Sequence, residues 1–166
     1  MTLVFDDANE EDAAALTALH AHAAADLTAR FGVGPWSRAP TARASDAVPG
    51  RVRLRVGRHD GQVVTGLRLQ TRRPWAIDAA YFTPVHRPLY LTGMVVAVPL
   101  QARGLGRAAL DDALDVTRSW PADSIRLDAF DAGAGAGPFY AKCGYAERGR
   151  ATYRSVRLIY YERVLG

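Results

Sequence analysis

The sequence contains one cysteine, Cys143, and no long apolar segment. A single cysteine cannot form an internal disulfide, which is typical of proteins from a reducing compartment. No apolar run approaches the roughly 18 to 20 residues that a helix needs to span a bilayer. The first residues are acidic where a secretory signal peptide would be basic. We therefore expect a cytoplasmic protein without a membrane partner.

Lysine is nearly absent, since Lys142 is the only one and arginine carries almost all of the positive charge. The formal net charge of +4 is too small for the dense basic stripe of a typical nucleic-acid-binding protein. We expect no nucleic-acid partner. A nucleic-acid-binding domain that draws on the arginines stands as a third hypothesis behind the two below, and it predicts DNA affinity that falls steeply with salt.

The densest basic segment alternates Arg51, Arg53 and Arg55 with aliphatic residues. Alternation of this kind places the arginines on one face of a strand and the aliphatic side chains on the other. The favoured interpretation is a solvated strand face. A face that binds an anionic ligand is the alternative.

The length of 166 residues and the hydrophobic fraction of 49% predict a single domain over residues 1–166. Hydrophobic periodicity and turn residues predict seven strands and three helices in a mixed α/β order, not a doubly wound parallel sheet. The helices are predicted over 9–31, with Asn9 as its N-cap, over 104–120, and in a short segment that ends at Gly144. A loop is predicted over 32–50 and a hairpin turn at Asp60 and Gly61.

A glycine-containing turn, QARGLGR, joins an apolar strand to the helix predicted from Gly104. Backbone N–H groups at a helix N-terminus have no intrahelical partner and lie at the positive end of the helix dipole, which suits an anion. Gly104 and Gly106 leave room for close approach of a phosphate, and Arg103 and Arg107 add positive charge. The alternative is a turn that only reverses the chain, since the P-loop and dinucleotide-binding patterns are both absent.

This turn is followed some 30 residues later by FYAKCGY, and the two motifs together resemble the GCN5-related N-acetyltransferase (GNAT) family. The resemblance implies a mostly antiparallel sheet of about seven strands, flanked by helices and splayed between strands 4 and 5. It also implies acetyl-CoA as co-substrate and no metal. It assigns the coenzyme pyrophosphate to the turn, namely to Gln101, Ala102, Arg103, Gly104, Leu105, Gly106 and Arg107.

The same resemblance assigns roles around the thioester. A backbone N–H at or beside Val96 would stabilise the oxyanion, and the backbone of Val96, Ala97 and Val98 would pair with the pantetheine arm as an extra strand does. Tyr140 is the candidate general acid for the departing thiolate, because a tyrosine stays protonated at neutral pH. The alternative for Tyr140 is a buried core residue.

The sequence departs from the family pattern at two places. Gly133 stands where many members have an asparagine, so Asp131 is a candidate to replace that coenzyme contact. The fourth strand lacks the glutamate that often serves as general base, which leaves Asp128, Asp131, Asp78 and His86 as candidates. A water chain, or direct binding of the neutral amine, would also serve.

Other residues with reactive or aromatic side chains receive weaker assignments. Cys143 is interpreted as a small buried residue. His20 and His22 are two apart on a helix and do not share a face, which argues against a metal site. The aromatic residues in segments that the family uses for its acceptor pocket are candidates for that pocket or for ordinary packing: Trp36, Trp75, Tyr81 and Phe82.

The leading functional hypothesis is an acetyl-CoA-dependent N-acetyltransferase that acetylates a primary amine in a ternary complex. The alternative is a coenzyme-binding module that has lost catalysis and acts as a sensor or partner domain. The acceptor is a small-molecule or peptide amine that the sequence does not identify, because the loops that form acceptor pockets vary most. A homodimer is compatible with the resemblance, although no residue argues for it.

Overall fold

The computed structural model describes residues 1–40 and 46–166, so part of the predicted loop over 32–50 lies outside the described residues. Seven strands form one sheet: Val4–Asp7 (β1), Val52–His59 (β2), Gln62–Gln70 (β3), Pro88–Val96 (β4), Ser124–Phe130 (β5), Ala146–Tyr153 (β6) and Val156–Val164 (β7). Three α-helices flank the sheet: Asp12–Phe31 (α1), Leu105–Ser119 (α2) and Gly137–Lys142 (α3). Within these ranges, no helix has the length and apolar character required to cross a membrane.

The strand order is β1-β2-β3-β4-β5-β7-β6, and the pairing of β4 with β5 is parallel whereas the other pairs are antiparallel. The parallel pairing covers only Pro88–Tyr90 of β4 and Ser124–Arg126 of β5. Beyond these residues β4 stays paired with β3, and β5 stays paired with β7. The two strands therefore diverge and leave a gap, bordered by residues 91–96 and 127–130. This mixed, open sheet confirms the predicted fold class.

A buried ion pair lies where the two strands begin to diverge. Arg126 of β5 donates from Nε to Glu162 of β7 (3.1 Å) and from Nη1 to the hydroxyl of Tyr90 on β4 (3.1 Å). Glu162 also accepts from the backbone N–H of Thr83 (3.1 Å) and from Arg148 (3.1 Å). Arg126 and Glu162 are almost fully buried. This network, which we call the vertex network, links β4, β5 and β7 at the start of the gap.

Helix α2 covers one face of the sheet because its apolar residues recur at helical spacing. Ala109, Leu110, Ala113 and Val116 are buried in one cluster with Leu69 and other strand residues. Burial of such side chains supplies the main favourable free energy of folding, at about 25 cal/mol per Å² of apolar surface. Helix α2 is therefore held firmly, which fixes the position of its N-terminus.

Helix α1 packs on the opposite face, and its N-cap is Glu11, two residues after the predicted Asn9. The Asn9 side-chain oxygen accepts from the Glu11 N–H (2.9 Å), and the Asp12 carboxylate accepts from the Asn9 N–H (2.8 Å). This reciprocal arrangement satisfies N–H groups at the helix start. The helix then packs closely on the sheet, because Leu16 occupies the space that a Cβ on Gly66 would fill.

The predicted solvated face of arginines is confirmed at Arg51, which is exposed, and is wrong at Arg55. The Arg55 guanidinium makes two bonds to Asp112 of α2 (2.8 and 2.6 Å), and its side chain is only 12% exposed. Arg53 pairs with Asp7 of β1 (3.0 Å). The arginines thus connect the strand to its neighbours, because α2 and β1 place aspartates over them. No free anion is required to satisfy them.

Candidate active site

Two cavities open on the gap between β4 and β5, and they meet at Tyr140. The first, the glycine-turn cavity, has a volume of about 540 Å³ and is bordered by the start of α2, by the end of β4 and by α3. The second, the Asp128 cavity, has a volume of about 370 Å³ and lies between α1, β4 and β5. Tyr140 lines both cavities. The cavities are thus two compartments of one cleft.

The glycine turn presents unpartnered N–H groups to the first cavity. Gly104 adopts the left-handed conformation (φ +83°, ψ 2°) and precedes the first helical residue. Ala108 is the first residue whose N–H makes a helical hydrogen bond, and it donates to the Gly104 carbonyl (3.0 Å). Among the described residues, no acceptor is found for the N–H groups of Leu105, Gly106 and Arg107. Three aligned donors at a positive helix end form an anion site.

The two glycines of the turn have different structural roles. A Cβ on Gly104 would meet no atom within 4 Å, so that residue borders open space. A Cβ on Gly106 would lie 2.9 Å from Cζ of Phe139, so its missing side chain lets α3 approach α2. Arg107 strengthens the same junction, since its Nη2 donates to the Lys142 carbonyl (2.8 Å). Arg103 is exposed. Gly104 is therefore the glycine that keeps the anion site open.

The end of β4 directs one backbone N–H into the gap. Ala97 donates its N–H to the Val64 carbonyl on β3 (2.8 Å). Because successive N–H groups of a strand point to opposite sides, the Val96 N–H points away from β3 and toward the gap. The Val96 carbonyl faces the same side and accepts from the Gln101 side chain (3.3 Å). Val96 thus offers a donor at the position predicted for it.

The extended segment predicted over Val96, Ala97 and Val98 is shorter in the structure, because β4 ends at Val96. The Ala97 and Val98 carbonyls accept from Leu100 (2.9 Å) and Gln101 (3.3 Å) in a 3₁₀ turn. Pro99 in this turn has a fixed φ and no N–H, which favours the turn over a continued strand. The Ala97 N–H and both carbonyls are therefore engaged within the chain, whereas no acceptor is found among the described residues for the Val98 N–H. The pairing of Val96, Ala97 and Val98 with the pantetheine arm stays a prediction.

Tyr140 is a buried phenol at the junction of the cavities. Helix α3 positions it, and the rings of Phe139 and Tyr145 contact it edge-on at centroid distances of 5.2 and 5.9 Å. Burial raises the pKa of Tyr140, and the nearby Tyr145, Asp128 and Cys143 raise it further. The phenol therefore stays protonated at neutral pH and can donate a hydrogen bond or a proton. Tyr140 and Asp128 both line the Asp128 cavity.

The Asp128 cavity combines a few polar groups with an apolar wall. Burial raises the pKa of Asp128, and burial lowers the pKa of His20 on α1. At neutral pH the imidazole is therefore neutral. Thr92 also lines the cavity. Its apolar lining includes Leu27, Trp36, Met94 and Phe130.

Of the four predicted base candidates, Asp128 alone lines this cavity. Asp131 pairs with Arg150 (3.4 Å) and is absent from the lining of both cavities, and its predicted coenzyme contact stays a prediction. Asp78 caps a short turn by accepting from the Ala80 N–H (3.0 Å), and His86 is exposed.

The four aromatic residues predicted for the acceptor pocket lie in different parts of the structure. Trp36 lines the Asp128 cavity, where its ring contacts Phe130 edge-on at 6.0 Å. Trp75 is 75% exposed and lines a different cavity. Tyr81 and Phe82 pack against Tyr160. Only Trp36 therefore belongs to the cleft.

His20 lies in the cleft, although it was not among the residues predicted for it. The spacing of buried residues in α1 would have indicated its position. His20 follows Leu16 by four residues and precedes Ala24 by four, and both of these are buried. This spacing places the imidazole on the inward face of α1.

Cys143 is buried, as predicted, and burial raises the pKa of its thiol. The thiol form is therefore the stable one, which disfavours a role as nucleophile. Across residues 1–40 and 46–166, no group of three His, Cys, Asp or Glu side chains is arranged to hold a metal ion.

Comparison with solved structures places the whole chain in one fold. A GNAT acetyltransferase from Streptococcus agalactiae is 18% identical with a TM-score of 0.73, over 99% of this chain and 96% of that chain. The ribosomal-protein-alanine N-acetyltransferase from Brucella melitensis is 18% identical with a TM-score of 0.70, over 98% and 99%. The protein yncA from Salmonella typhimurium, solved with its cofactor acetyl-CoA, is 16% identical with a TM-score of 0.69, over 100% and 95%.

These identities are low, so the structural similarity shows the fold. No curated protein matches the sequence. The model of the acetyltransferase (GNAT) family, however, matches residues 14–145, which include β2 to β5, both motifs and most of the cleft. The chain therefore belongs to the GNAT family of acetyltransferases.

Proposed function

We propose that the protein is an acetyl-CoA-dependent N-acetyltransferase that transfers an acetyl group to a primary amine within a ternary complex. The observation that carries this proposal is the meeting of two cavities at Tyr140, one with three unpartnered N–H groups and the other with the half-buried carboxylate of Asp128. Two ligands can thus enter from different sides and meet at one hydroxyl. Direct transfer needs this arrangement, because both reactants must be held together.

The glycine-turn cavity would hold the coenzyme. Its pyrophosphate would accept from the N–H groups of Leu105, Gly106 and Arg107, beside the open space at Gly104. The pantetheine arm would lie in the gap along β4, and the thioester carbonyl would accept from the Val96 N–H. The family to which the chain belongs, and the acetyl-CoA bound to one protein of the same fold, support this assignment.

The acceptor would enter through the Asp128 cavity. An amine that arrives as an ammonium ion forms an ion pair with the Asp128 carboxylate. Burial disfavours both charges, so the carboxyl pKa is raised and the ammonium pKa is lowered. A proton can then pass from nitrogen to Asp128, which leaves the neutral amine that the reaction requires.

The chemical step follows from these positions. The amine nitrogen attacks the thioester carbonyl carbon, and the carbonyl π electrons move to oxygen, where the Val96 N–H stabilises the resulting oxyanion. The attack leaves two protons on a positively charged nitrogen, and solvent accepts one of them. The oxyanion then re-forms the C=O bond, and the C–S bond breaks. Tyr140 donates its proton to the departing thiolate of coenzyme A. Solvent returns a proton to Tyr140, and Asp128 releases the amine proton, which completes the cycle.

The proposal is tested by binding and turnover on the same preparation. We expect calorimetry to show binding of acetyl-CoA and of CoA, and a thiol-release assay over a panel of primary amines to show turnover with at least one. The single cysteine is buried with a raised pKa, so the protein contributes little thiol background. Binding without turnover on any amine would favour the inactive coenzyme-binding module. Absence of binding would contradict both functions.

A further inference from the structure

A third cavity, the Arg68 cavity, adjoins the Asp128 cavity and has a volume of about 240 Å³. The two share His20, Pro40, Thr92 and Gly93 in their linings, so they form one continuous surface under α1. The site described above uses only the Asp128 part. The Arg68 part is thus available to the remainder of an acceptor whose amine lies at Asp128.

Arg68 brings an unpartnered buried donor to this cavity. Its Nε is inaccessible to solvent and has no hydrogen-bond partner in the described part of the chain. No described carboxylate lies within ion-pair distance of its guanidinium. A buried donor without an acceptor is unfavourable, and the planar guanidinium matches a carboxylate with two parallel bonds. Because solvent does not reach Nε, an anion from outside the chain would be held by the two Nη groups of Arg68, which also have no hydrogen-bond partner among the described residues.

Strand register places Arg68 and Asp128 on the same face of the sheet. Arg68 of β3 pairs with Thr92 of β4, while Tyr90 of β4 pairs with Arg126 of β5. Two residues further along β4 and β5 are Thr92 and Asp128. Side chains two apart in a strand point to the same face, so a cation, a hydroxyl and a carboxylate follow one another across three strands.

The spacing of this row defines the size of ligand that could bridge it. Adjacent strands are about 4.8 Å apart, so the backbones of Arg68 and Asp128 are separated by at least about 10 Å. The arginine side chain spans more than half of that distance when extended. The remaining space suits a small molecule in which an amine and an anionic group are a few bonds apart.

Asp46 also lines the Arg68 cavity, but its negative charge does not remove the preference of Arg68 for an anionic ligand. Asp46 lines the cavity but remains partly exposed, so solvent screens its charge. His20 is neutral at pH 7 because burial lowers its pKa. Asp46 and Arg68 are both half-buried, and Arg68 is the one with a buried donor that lacks a partner.

We propose that Arg68 binds the carboxylate of the acceptor and that the acceptor is a small amino acid with an apolar side chain. The amine would lie at Asp128, the carboxylate at Arg68, and the side chain against the apolar wall that Leu27, Trp36, Met94 and Phe130 provide. This inference rests on the proposed function, because it names the class of molecule that occupies the acceptor side of the same cleft.

The test compares acids with their amides, using protein saturated with CoA. L-Leucine and L-phenylalanine are the acid probes, and L-leucinamide and L-phenylalaninamide lack only the anionic charge. Calorimetry should show at least one acid binding about tenfold or more tightly than its amide, since hydrogen bonds to charged groups contribute about 1.5–3 kcal/mol. The variant Arg68→Met should abolish that preference and leave the amide affinity unchanged.

Two further variants make the comparison specific. Arg53→Met removes an arginine of the same sheet that pairs with Asp7 outside these cavities, so it should retain the wild-type preference. Arg68→Lys keeps the charge without the two-pronged geometry and should give an intermediate preference. If Arg68→Met does not fold, as judged by thermal unfolding and acetyl-CoA affinity, Arg68→Lys is used in its place.

The proposal is overturned if neither acid binds, if the amides bind as tightly as the acids, or if the Arg68 variants keep the wild-type preference. These outcomes are distinguishable from failure of the proposed function, because the readout is binding and needs no turnover. Failure of the proposed function would instead appear as absent coenzyme binding, or as absent thiol release over the whole amine panel.

Discussion

At the scale of single residues, Tyr140 joins the two compartments of the cleft. We expect Tyr140→Phe to lower kcat by about 10²- to 10⁴-fold, the usual contribution of a proton donor, while the Kd for acetyl-CoA changes less than threefold. Steady-state thiol release and calorimetry measure the two effects. Tyr145→Phe is the matched control, since this neighbouring buried hydroxyl has no partner among the described residues. Unchanged turnover in Tyr140→Phe would remove the phenol from the mechanism.

The raised pKa of Asp128 predicts how kcat/KM depends on pH. Burial raises its pKa, and the base must be ionised to accept a proton, so kcat/KM should fall as pH decreases through that raised pKa. We expect Asp128→Asn to lose this acidic limb and to lower kcat/KM by about 10²-fold or more at neutral pH.

The measurement for Asp128 is a pH profile of kcat/KM for wild type and variant. Asp131→Asn is the control, because Asp131 lies three residues along the chain and is ion-paired with Arg150. An acidic limb that persists in Asp128→Asn would assign the base to another group, and His20 is the neutral imidazole that lines the same cavity.

The positions of residues in the cleft were predictable where a short motif carries them and not where distant segments combine. Tyr140, Gly104 and the Val96 N–H follow from local patterns and the family resemblance. Arg68 gave no such signal, because its place opposite Asp128 depends on the register of three strands. Asp128 appeared only as one of four base candidates, and its burial in the cleft distinguishes it from the others.

At the scale of elements, we expect a side chain at Gly104 to block acetyl-CoA binding at the start of α2. Gly104→Val would fill the open space beside the anion site, and we expect it to raise the Kd for acetyl-CoA about tenfold or more. The variant would also destabilise the fold by about 1–2 kcal/mol, because φ is +83°. Calorimetry and urea unfolding measure the two effects separately.

Gly61→Val is the matched control for this prediction. Gly61 has a similar φ of +78° and open space around it, but it lies in the turn between β2 and β3. The control should show a similar loss of stability with unchanged acetyl-CoA affinity. Equal affinity in both variants would mean that the space at Gly104 is not part of the coenzyme site.

Element positions were largely predictable, because helices and strands here follow their hydrophobic periods. The exceptions have tertiary or local causes. The strand predicted to continue past Val96 turns at Pro99 into a 3₁₀ segment. The arginine face of β2 is covered because Asp112, 57 residues from Arg55, lies over it on α2. A period of two shows which residues share a face but not what packs against them.

At the scale of the whole molecule, the vertex network links three strands at the point where the sheet opens. We expect Glu162→Gln to lower the free energy of unfolding by about 3–5 kcal/mol, because it leaves the buried Arg126 without its counter-charge. Urea unfolding at pH 7 measures this change. Glu147→Gln removes an exposed ion pair with Arg150 and should cost less than about 1 kcal/mol. An equal loss of unfolding free energy in both variants would contradict the claim that burial makes the Arg126–Glu162 pair costly to break.

The same carboxylate gives a pH dependence of stability. Burial raises the pKa of Glu162, but hydrogen bonds from Thr83 and Arg126 outweigh burial, so its pKa is lowered overall. A carboxyl with a lowered folded-state pKa contributes stability above its unfolded pKa, and that contribution is lost as pH falls through the folded value. The stability difference between wild type and Glu162→Gln should therefore shrink in acid.

The overall architecture was predictable through the family resemblance, which implied the splayed sheet. Periodicity alone does not show that β4 and β5 separate after three residue pairs. The bonds of Arg126 to Tyr90 and Glu162, which are far apart in the sequence, lie at the last pair before the separation. The proposed coenzyme site borders this gap, so it combines distant segments of the sheet.

The most direct test of this coenzyme site is an NMR titration of the ¹⁵N-labelled protein with CoA. The account predicts that the largest amide shifts occur at Val96 and at Leu105, Gly106 and Arg107. Amides of β6, at the far edge of the sheet, should not move. Saturable CoA binding that leaves the Val96 and α2 amides unshifted would contradict the account.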